Sequence, residues 1–221
     1  MACFLAAAYK RNDGPKFKFS WKKGKQLLSE SYNFILSSLM VSIYGSTDRF
    51  MLKQMIGEES VGYYTTALTL CNIWVFILSA IIDSLTPTIM QSHNENEGLY
   101  KKLNKQLYAI VFYVSAFVSL CFMLFGRVAI RILYGEAYND AAIPLSIITW
   151  YTSFSYLGVA RNAWIVCEHK QAFLKYLYLG AAISNIILNA ILIPIWGASG
   201  AAMASLITQM STILVFPALV K

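Results

Sequence analysis

Six long apolar stretches separated by short polar connections constrain this chain more than any other feature of it. Residues 107–125 run for nineteen positions without a formal charge. A helix of that length, rising about 1.5 Å per residue, crosses the roughly 30 Å hydrocarbon core of a bilayer. No water is available there to satisfy backbone groups, so each stretch must bond within itself as a helix. The pattern predicts spans at residues 27–47, 61–85, 107–125, 141–160 with a continuation toward 167, 176–196 and 198–220. The expected fold is all-α, a polytopic transmembrane bundle of six spans. Composition agrees, with 57% hydrophobic and only 13% charged residues, where a soluble domain carries about 25% charged residues.

Orientation follows from the basic residues, because short loops rich in Lys and Arg stay on the cytoplasmic side. The first linker carries Lys10, Arg11, Lys16, Lys18, Lys22, Lys23 and Lys25. The connection after the second span carries Lys101, Lys102 and Lys105, and Arg161, Lys170 and Lys175 surround the one after the fourth. The opposite side has Arg49, Lys53, Arg127 and Arg131, offset by Asp48, Glu58, Glu59, Glu136 and Asp140. The linker and the C-terminus are therefore expected in the cytoplasm. The net charge of +7 reads as topology and contact with anionic membrane lipids, not as a nucleic-acid surface.

The N-terminal residues 1–8 are apolar but too short to span, and they lack the basic start of a signal peptide. They read as the remnant of a preceding span, so residues 1–26 are expected to be that remnant plus a basic cytoplasmic linker, and residues 27–221 a six-helix lobe. Six spans return a chain to its starting side. A preceding six-helix lobe would share the same topology, giving a two-lobe transporter with its path between the lobes.

Catalytic and metal chemistry find little support. Cys3, Cys71, Cys121 and Cys167 lie far apart, and His93 and His169 sit in separate connections without a thiol cluster, so neither a metal site nor a cofactor is expected. No glycine-rich phosphate loop, nucleophile elbow or paired-carboxylate site stands out. The chain is read as a non-enzyme.

Polarity inside the spans is more informative. On the first span Glu30, Asn33, Ser37, Tyr44 and Asp48 fall within about a sixth of the helix circumference, and on the second Thr65, Thr69, Asn72, Ser79 and Asp83 within about a quarter. Asn185 and Asn189 stand one turn apart on the fifth, and Ser205, Gln209 and Thr212 mark the sixth. Polar groups facing lipid cost up to several kcal/mol, so these faces meet other helices or a water-filled cavity. The third span is interrupted only by Ser115 and Ser119 and is read as the most lipid-exposed. Trp21, Trp164 and Trp196 near span ends fit interfacial anchors better than a sugar-stacking platform. Pro87, Pro144, Pro194 and Pro217 fit helix termination or a hinge.

The run Asp48-Arg49-Phe50-Met51-Leu52, followed by Gly62-Tyr63-Tyr64 and Ala67, resembles a signature of bacterial polysaccharide flippases. Leu133-Tyr134-Gly135 with Tyr138 and Ala141 extends it. So does the closing series Asn185, Asn189, Ile193-Pro194, Gly197 and Gly200-Ala201-Ala202. From about Trp21 onward the chain is similar to the C-terminal lobe of O-antigen and capsule repeat-unit flippases, within the superfamily that also holds multidrug antiporters. It departs from them in lacking an N-terminal lobe and in having Glu30-Ser31 where relatives place a proline.

The resemblance implies movement of an undecaprenyl-pyrophosphate-linked oligosaccharide across the bacterial inner membrane by alternating access. The implied partners are that lipid-linked oligosaccharide, membrane lipids, the missing lobe and polysaccharide-assembly proteins. Such a carrier needs cations for the pyrophosphate and hydrogen-bonding groups for the glycan. The candidate substrate-binding residues are Arg49, Asp48, Asn72, Arg161, Asn185 and Asn189. A multidrug or cation antiporter would share the fold but depend on embedded acids, which are scarce here. A membrane polymerase or glycosyltransferase would need a catalytic extramembrane domain, for which the connections are too short.

Overall fold

The structure, a computed structural model, describes residues 20–219. Side chains at 22, 26, 28–30, 33–34, 36–38, 40–41, 43–44, 94, 171–172, 175 and 216–219 fall outside that description. Most of the expected remnant and linker therefore lies outside the described residues. So do the side chains of Glu30, Asn33, Ser37 and Tyr44.

The chain divides into two units, residues 1–32 and 33–221. The described part of the first is the start of α1 (Trp21–Met55), where Trp21, Leu27 and Tyr32 are exposed. The second unit holds the remainder of α1, then α2 (Glu58–Glu95), α3 (Glu97–Tyr134), a short 3-10 helix (Glu136–Ala141), α4 (Ala142–Cys167) and α5 (Gln171–Leu219). No strand occurs among the described residues. The protein is an all-α bundle, and three helical segments among the described residues, Glu58–His93, Glu97–Tyr134 and Tyr176–Val215, are long and apolar enough to cross a membrane.

The last of these is two helices. At Gly197 the backbone turns to φ 55°, ψ −128°, a left-handed conformation that glycine adopts without the clash a Cβ would bring. Asn185 and Ser205 are twenty residues apart and would be about 30 Å apart in a straight helix, yet their side chains hydrogen-bond at 3.5 Å. The chain thus folds back as a hairpin, with arms 171–196 and 198–219. Gly200 makes the close approach possible, because a Cβ there would overlap the Leu192 carbonyl. Fifth and sixth spans were expected at this place, and Pro194 stands just before the hinge.

The helices run past the expected spans. α2 continues through Pro87 to Glu95 and α3 begins at Glu97, so Pro87 neither ends α2 nor starts a loop. The Asn96 side chain accepts from the Leu99 amide at 3.0 Å, capping α3 as Asn does. Pro144 sits in the first turn of α4, where its missing N–H costs nothing.

α4 is the hub, packing against α2, α3 and α5. One core gathers Leu52, Tyr64, Ala67, Leu70, Leu145, Ile148, Ile193, Ala201 and Ala202. A second joins Trp74, Leu78, Ile82, Tyr100, Leu107, Val111 and Ala160 toward the other end. On α3, Ser115 and Ser119 point inward, Ser119 meeting Ser153 of α4 at 2.9 Å. Phe112, Phe117, Leu120, Leu124 and Val128 cover the outward face of α3. The residues 133–141 connection is fixed by Tyr138, edge-on to Tyr63 at 6.0 Å and tilted against Tyr134 at 5.7 Å.

Candidate functional site

A cluster of buried polar side chains gathers around Asp48, two turns before the end of α1. Asp48 and Leu52 are one turn apart and both face inward. The Tyr64 hydroxyl of α2 donates to Asp48 Oδ2 at 2.6 Å. Asn189 Nδ2, on the first arm of α5, donates to Asp48 Oδ1 at 2.6 Å. Ser205 Oγ, on the second arm, donates to Oδ2 at 2.5 Å. Asn189 Nδ2 also donates to Asn185 Oδ1 at 3.0 Å, and Asn185 Nδ2 reaches Ser205 Oγ at 3.5 Å. All five residues are at most 3% exposed.

This knot ties α1 to α2 and to both arms of the hairpin. A buried carboxyl must be satisfied by donors or it destabilises the fold, and here both oxygens accept hydrogen bonds. Asn189 Oδ1 has no donor among the described residues. Two members, Tyr64 and Ser205, are absent from the candidates named from sequence. A signal for Ser205 was present: Asn189 lies eight residues before Gly197 and Ser205 eight after, so folding at Gly197 brings them level.

The remaining candidates lie elsewhere. Arg49 follows Asp48 but projects about 100° around the helix and is exposed, its Nη2 donating to the Gly45 carbonyl at 3.3 Å. It makes no ion pair with Asp48. Beyond it, Lys53 and Glu58 pair at 2.8 Å across the α1–α2 turn.

Asn72 is exposed on α2, as are Thr69 and Asp83 of the same stripe, while Ser79 lies within 3.3 Å of the Tyr156 hydroxyl of α4. Arg161 is buried near the end of α4, where the phenols of Tyr178 and Tyr108 lie close enough to feel its charge. Tyr178 is eleven residues before Asn189, about 16 Å along the helix, so Arg161 is not part of the knot. The six candidates thus separate into a buried trio (Asp48, Asn185, Asn189), an exposed pair (Arg49, Asn72) and a buried arginine apart from both.

Comparison with known proteins gives a consistent picture. The family model described as "Polysaccharide biosynthesis protein" matches residues 1–143. The chain is 20% identical over 188 residues to the capsular polysaccharide biosynthesis protein CapF of Staphylococcus aureus, covering 85% of this chain and 48% of that protein. It is 24% identical over 196 residues to a putative O-antigen transporter of Escherichia coli (88% and 47%). It is 22% identical over 191 residues to a probable low-salt glycan biosynthesis flippase, Agl15, of Haloferax volcanii (85% and 40%). The chain spans about half the length of these relatives. No solved structure matches it.

Proposed function

The chain belongs to the polysaccharide biosynthesis protein family, and we propose that it forms one lobe of a membrane transporter that flips a lipid-linked oligosaccharide between leaflets. On this reading the cargo is undecaprenyl-pyrophosphate-linked, the membrane is the bacterial inner membrane, and the linker and C-terminus face the cytoplasm. Transport proceeds by alternating access with no covalent change to the cargo. A second lobe, together with polysaccharide-assembly proteins, completes the machine. Support comes from the helical fold, from the family, and from relatives named as a transporter and a flippase.

The observation that carries the mechanism is the buried Asp48 knot beside the exposed Arg49. An ionisable residue inside a membrane lobe is costly and marks function by default. Alternating access requires an element with two arrangements, and α1 reaches the apolar bundle through this polar knot, Leu52 and the partly buried Met51. Loosening or hydrating the knot would let α1 shift against the hairpin. Arg49 would move with it, on a face open to an anionic pyrophosphate. Asn72 and the α2 stripe offer hydrogen bonds to glycan hydroxyls, and Arg161 offers a further cation. Asp48, Asn185 and Asn189 would meet cargo only when the knot opens.

The test uses a strain whose surface polysaccharide depends on this protein. Arg49→Ala should cut surface polysaccharide at least tenfold at unchanged protein abundance, with lipid-linked precursor accumulating inside. Arg49→Lys should retain part of the activity by keeping the charge. Normal export in both variants would remove Arg49 from the cargo path.

A further inference from the structure

We infer that the end of the lobe remote from the Asp48 knot carries a separate pocket for a single neutral sugar unit. It lies between the last turn of α2, the first two turns of α3 and the end of α4, in a cavity of about 570 Å³. That is within the roughly 300–1,000 Å³ of small-molecule sites. Along α2 it is some 40 Å from Tyr64, at the end where Lys101, Lys102 and Lys105 cluster.

The chemistry of the lining selects the ligand. Asn104 is 8% exposed; its Nδ2 donates to the Tyr100 carbonyl at 3.0 Å, and its Oδ1 has no donor among the described residues. A buried acceptor left unmatched is destabilising, so an occupant carrying a donor is favoured over an apolar one. Glu168 accepts from the Tyr100 hydroxyl at 3.3 Å, and a carboxylate has lone pairs for further donors. Tyr100 is held edge-on to His93 at 4.8 Å, and Trp164 forms part of the wall.

Charge narrows the choice further. Glu97 is already paired with Lys101 at 2.6 Å and Glu168 is engaged by a phenol, so the cavity is not a strong cation trap. With Glu97 offset by Lys101, the carboxylate left in the lining is Glu168, which disfavours a pyrophosphate. No group of three metal-ligating side chains occurs among the described residues. A sugar ring satisfies each condition: its hydroxyls donate to Asn104 Oδ1 and Glu168, and its C–H face lies against Trp164. The pocket would read one sugar of the cargo before the pyrophosphate reaches Arg49. That bearing on export rests on the flippase reading; the binding itself does not.

The binding is tested on the purified chain in detergent by saturation-transfer NMR. The panel is methyl glucoside, methyl galactoside, methyl mannoside and N-acetylglucosamine, with ethanolamine and inorganic pyrophosphate as competitors. At least one sugar should bind saturably, and Asn104→Leu and Glu168→Gln should each weaken it fivefold or more. Glu168→Gln keeps the shape of a half-buried side chain and guards against misfolding of the first variant. The inference is overturned if no sugar binds saturably, if both folded variants bind as well as the parent, or if ethanolamine or pyrophosphate displaces the sugar. Transport plays no part in this readout. Its failure leaves the flippase reading to the Arg49 export assay, and failure of that assay leaves sugar binding standing.

Discussion

The carboxyl of Asp48 and the phenol of Tyr64 meet at 2.6 Å between α1 and α2, both almost fully buried. Tyr64 lies in the first two turns of α2 and Asp48 in the last two of α1, so the bond clasps the two helices near their shared turn. Ser205 and Asn189 extend that clasp to the hairpin. A lobe that is 57% hydrophobic in composition is thereby joined at one level by directional bonds. Apolar contacts tolerate sliding; these do not.

Two substitutions at Asp48 separate its charge from its shape. Asp48→Asn keeps an acceptor for Asn189, and the hydroxyls of Tyr64 and Ser205 can rotate to meet its amide. It should leave abundance within about twofold of the parent while reducing surface polysaccharide at least tenfold. Asp48→Leu strands three buried donors, at about 1–3 kcal/mol each, and should deplete the protein itself. Immunoblots of membrane fractions beside a surface-glycan assay distinguish the two. Full export with Asp48→Asn would mean that the carboxyl serves packing alone.

The proposed orientation can be read chemically. In a version without native cysteines, a single cysteine replacing Glu58 should react with an impermeant thiol reagent in intact cells. One replacing Lys102 should react only after permeabilisation. Both positions are exposed, so burial cannot produce the difference. The opposite pattern would invert the topology.

Within the knot the two asparagines should not be equivalent. Asn189 supplies one N–H to Asp48 and one to Asn185, whereas Asn185 makes no hydrogen bond to Asp48: it accepts from Asn189 and donates to Ser205 at a long 3.5 Å. Asn189→Leu should therefore impair export several-fold more than Asn185→Leu, with both inserting into the membrane. Bonds between membrane helices average about 0.6 kcal/mol, so neither loss should abolish folding. Equal phenotypes would show that Asp48 does not depend on Asn189. Cysteines at 185 and 189 should become reachable by small water-soluble reagents when the knot opens. Complete protection alongside full export would confine both residues to a dry interface.

Much of this geometry was legible in the chain. The one-turn spacing of Asp48 with Leu52, and of Asn185 with Asn189 and Ile193, placed each set on one face, and those faces are buried. Length and apolarity gave the helices, but the expected spans ended where the apolar runs gave way to mostly polar and charged residues. Backbone hydrogen bonding does not stop there, so α2 and α3 run about ten residues further toward one end. Periodicity also left two polar faces indistinguishable. Thr69, Asn72 and Asp83 of the α2 stripe point outward and the Asn189 face inward, and only the packing of α2 and α5 around α4 decides which is which. The pocket at the far end joins His93, Asn104 and Glu168, which are separated by up to 75 residues, and no local pattern connects them.

The hairpin makes the sharpest demand on a single residue. At Gly200 an added Cβ would meet the Leu192 carbonyl and the Ile193 amide, which are backbone groups that cannot swing aside. Gly200→Ala should force the arms apart, pull Ser205 away from Asp48 and Asn189, and lower both abundance and thermal stability in detergent. Gly180 provides the control, since it lies on the same arm as Asn189 with open space where its Cβ would stand. Gly180→Ala should be neutral or stabilising by up to about 1 kcal/mol, because alanine favours helix over glycine. Measured together, a loss for Gly200→Ala beside no loss for Gly180→Ala locates the effect in the fold-back. Equal tolerance of both would mean that the arms do not pack closely enough to hold the knot.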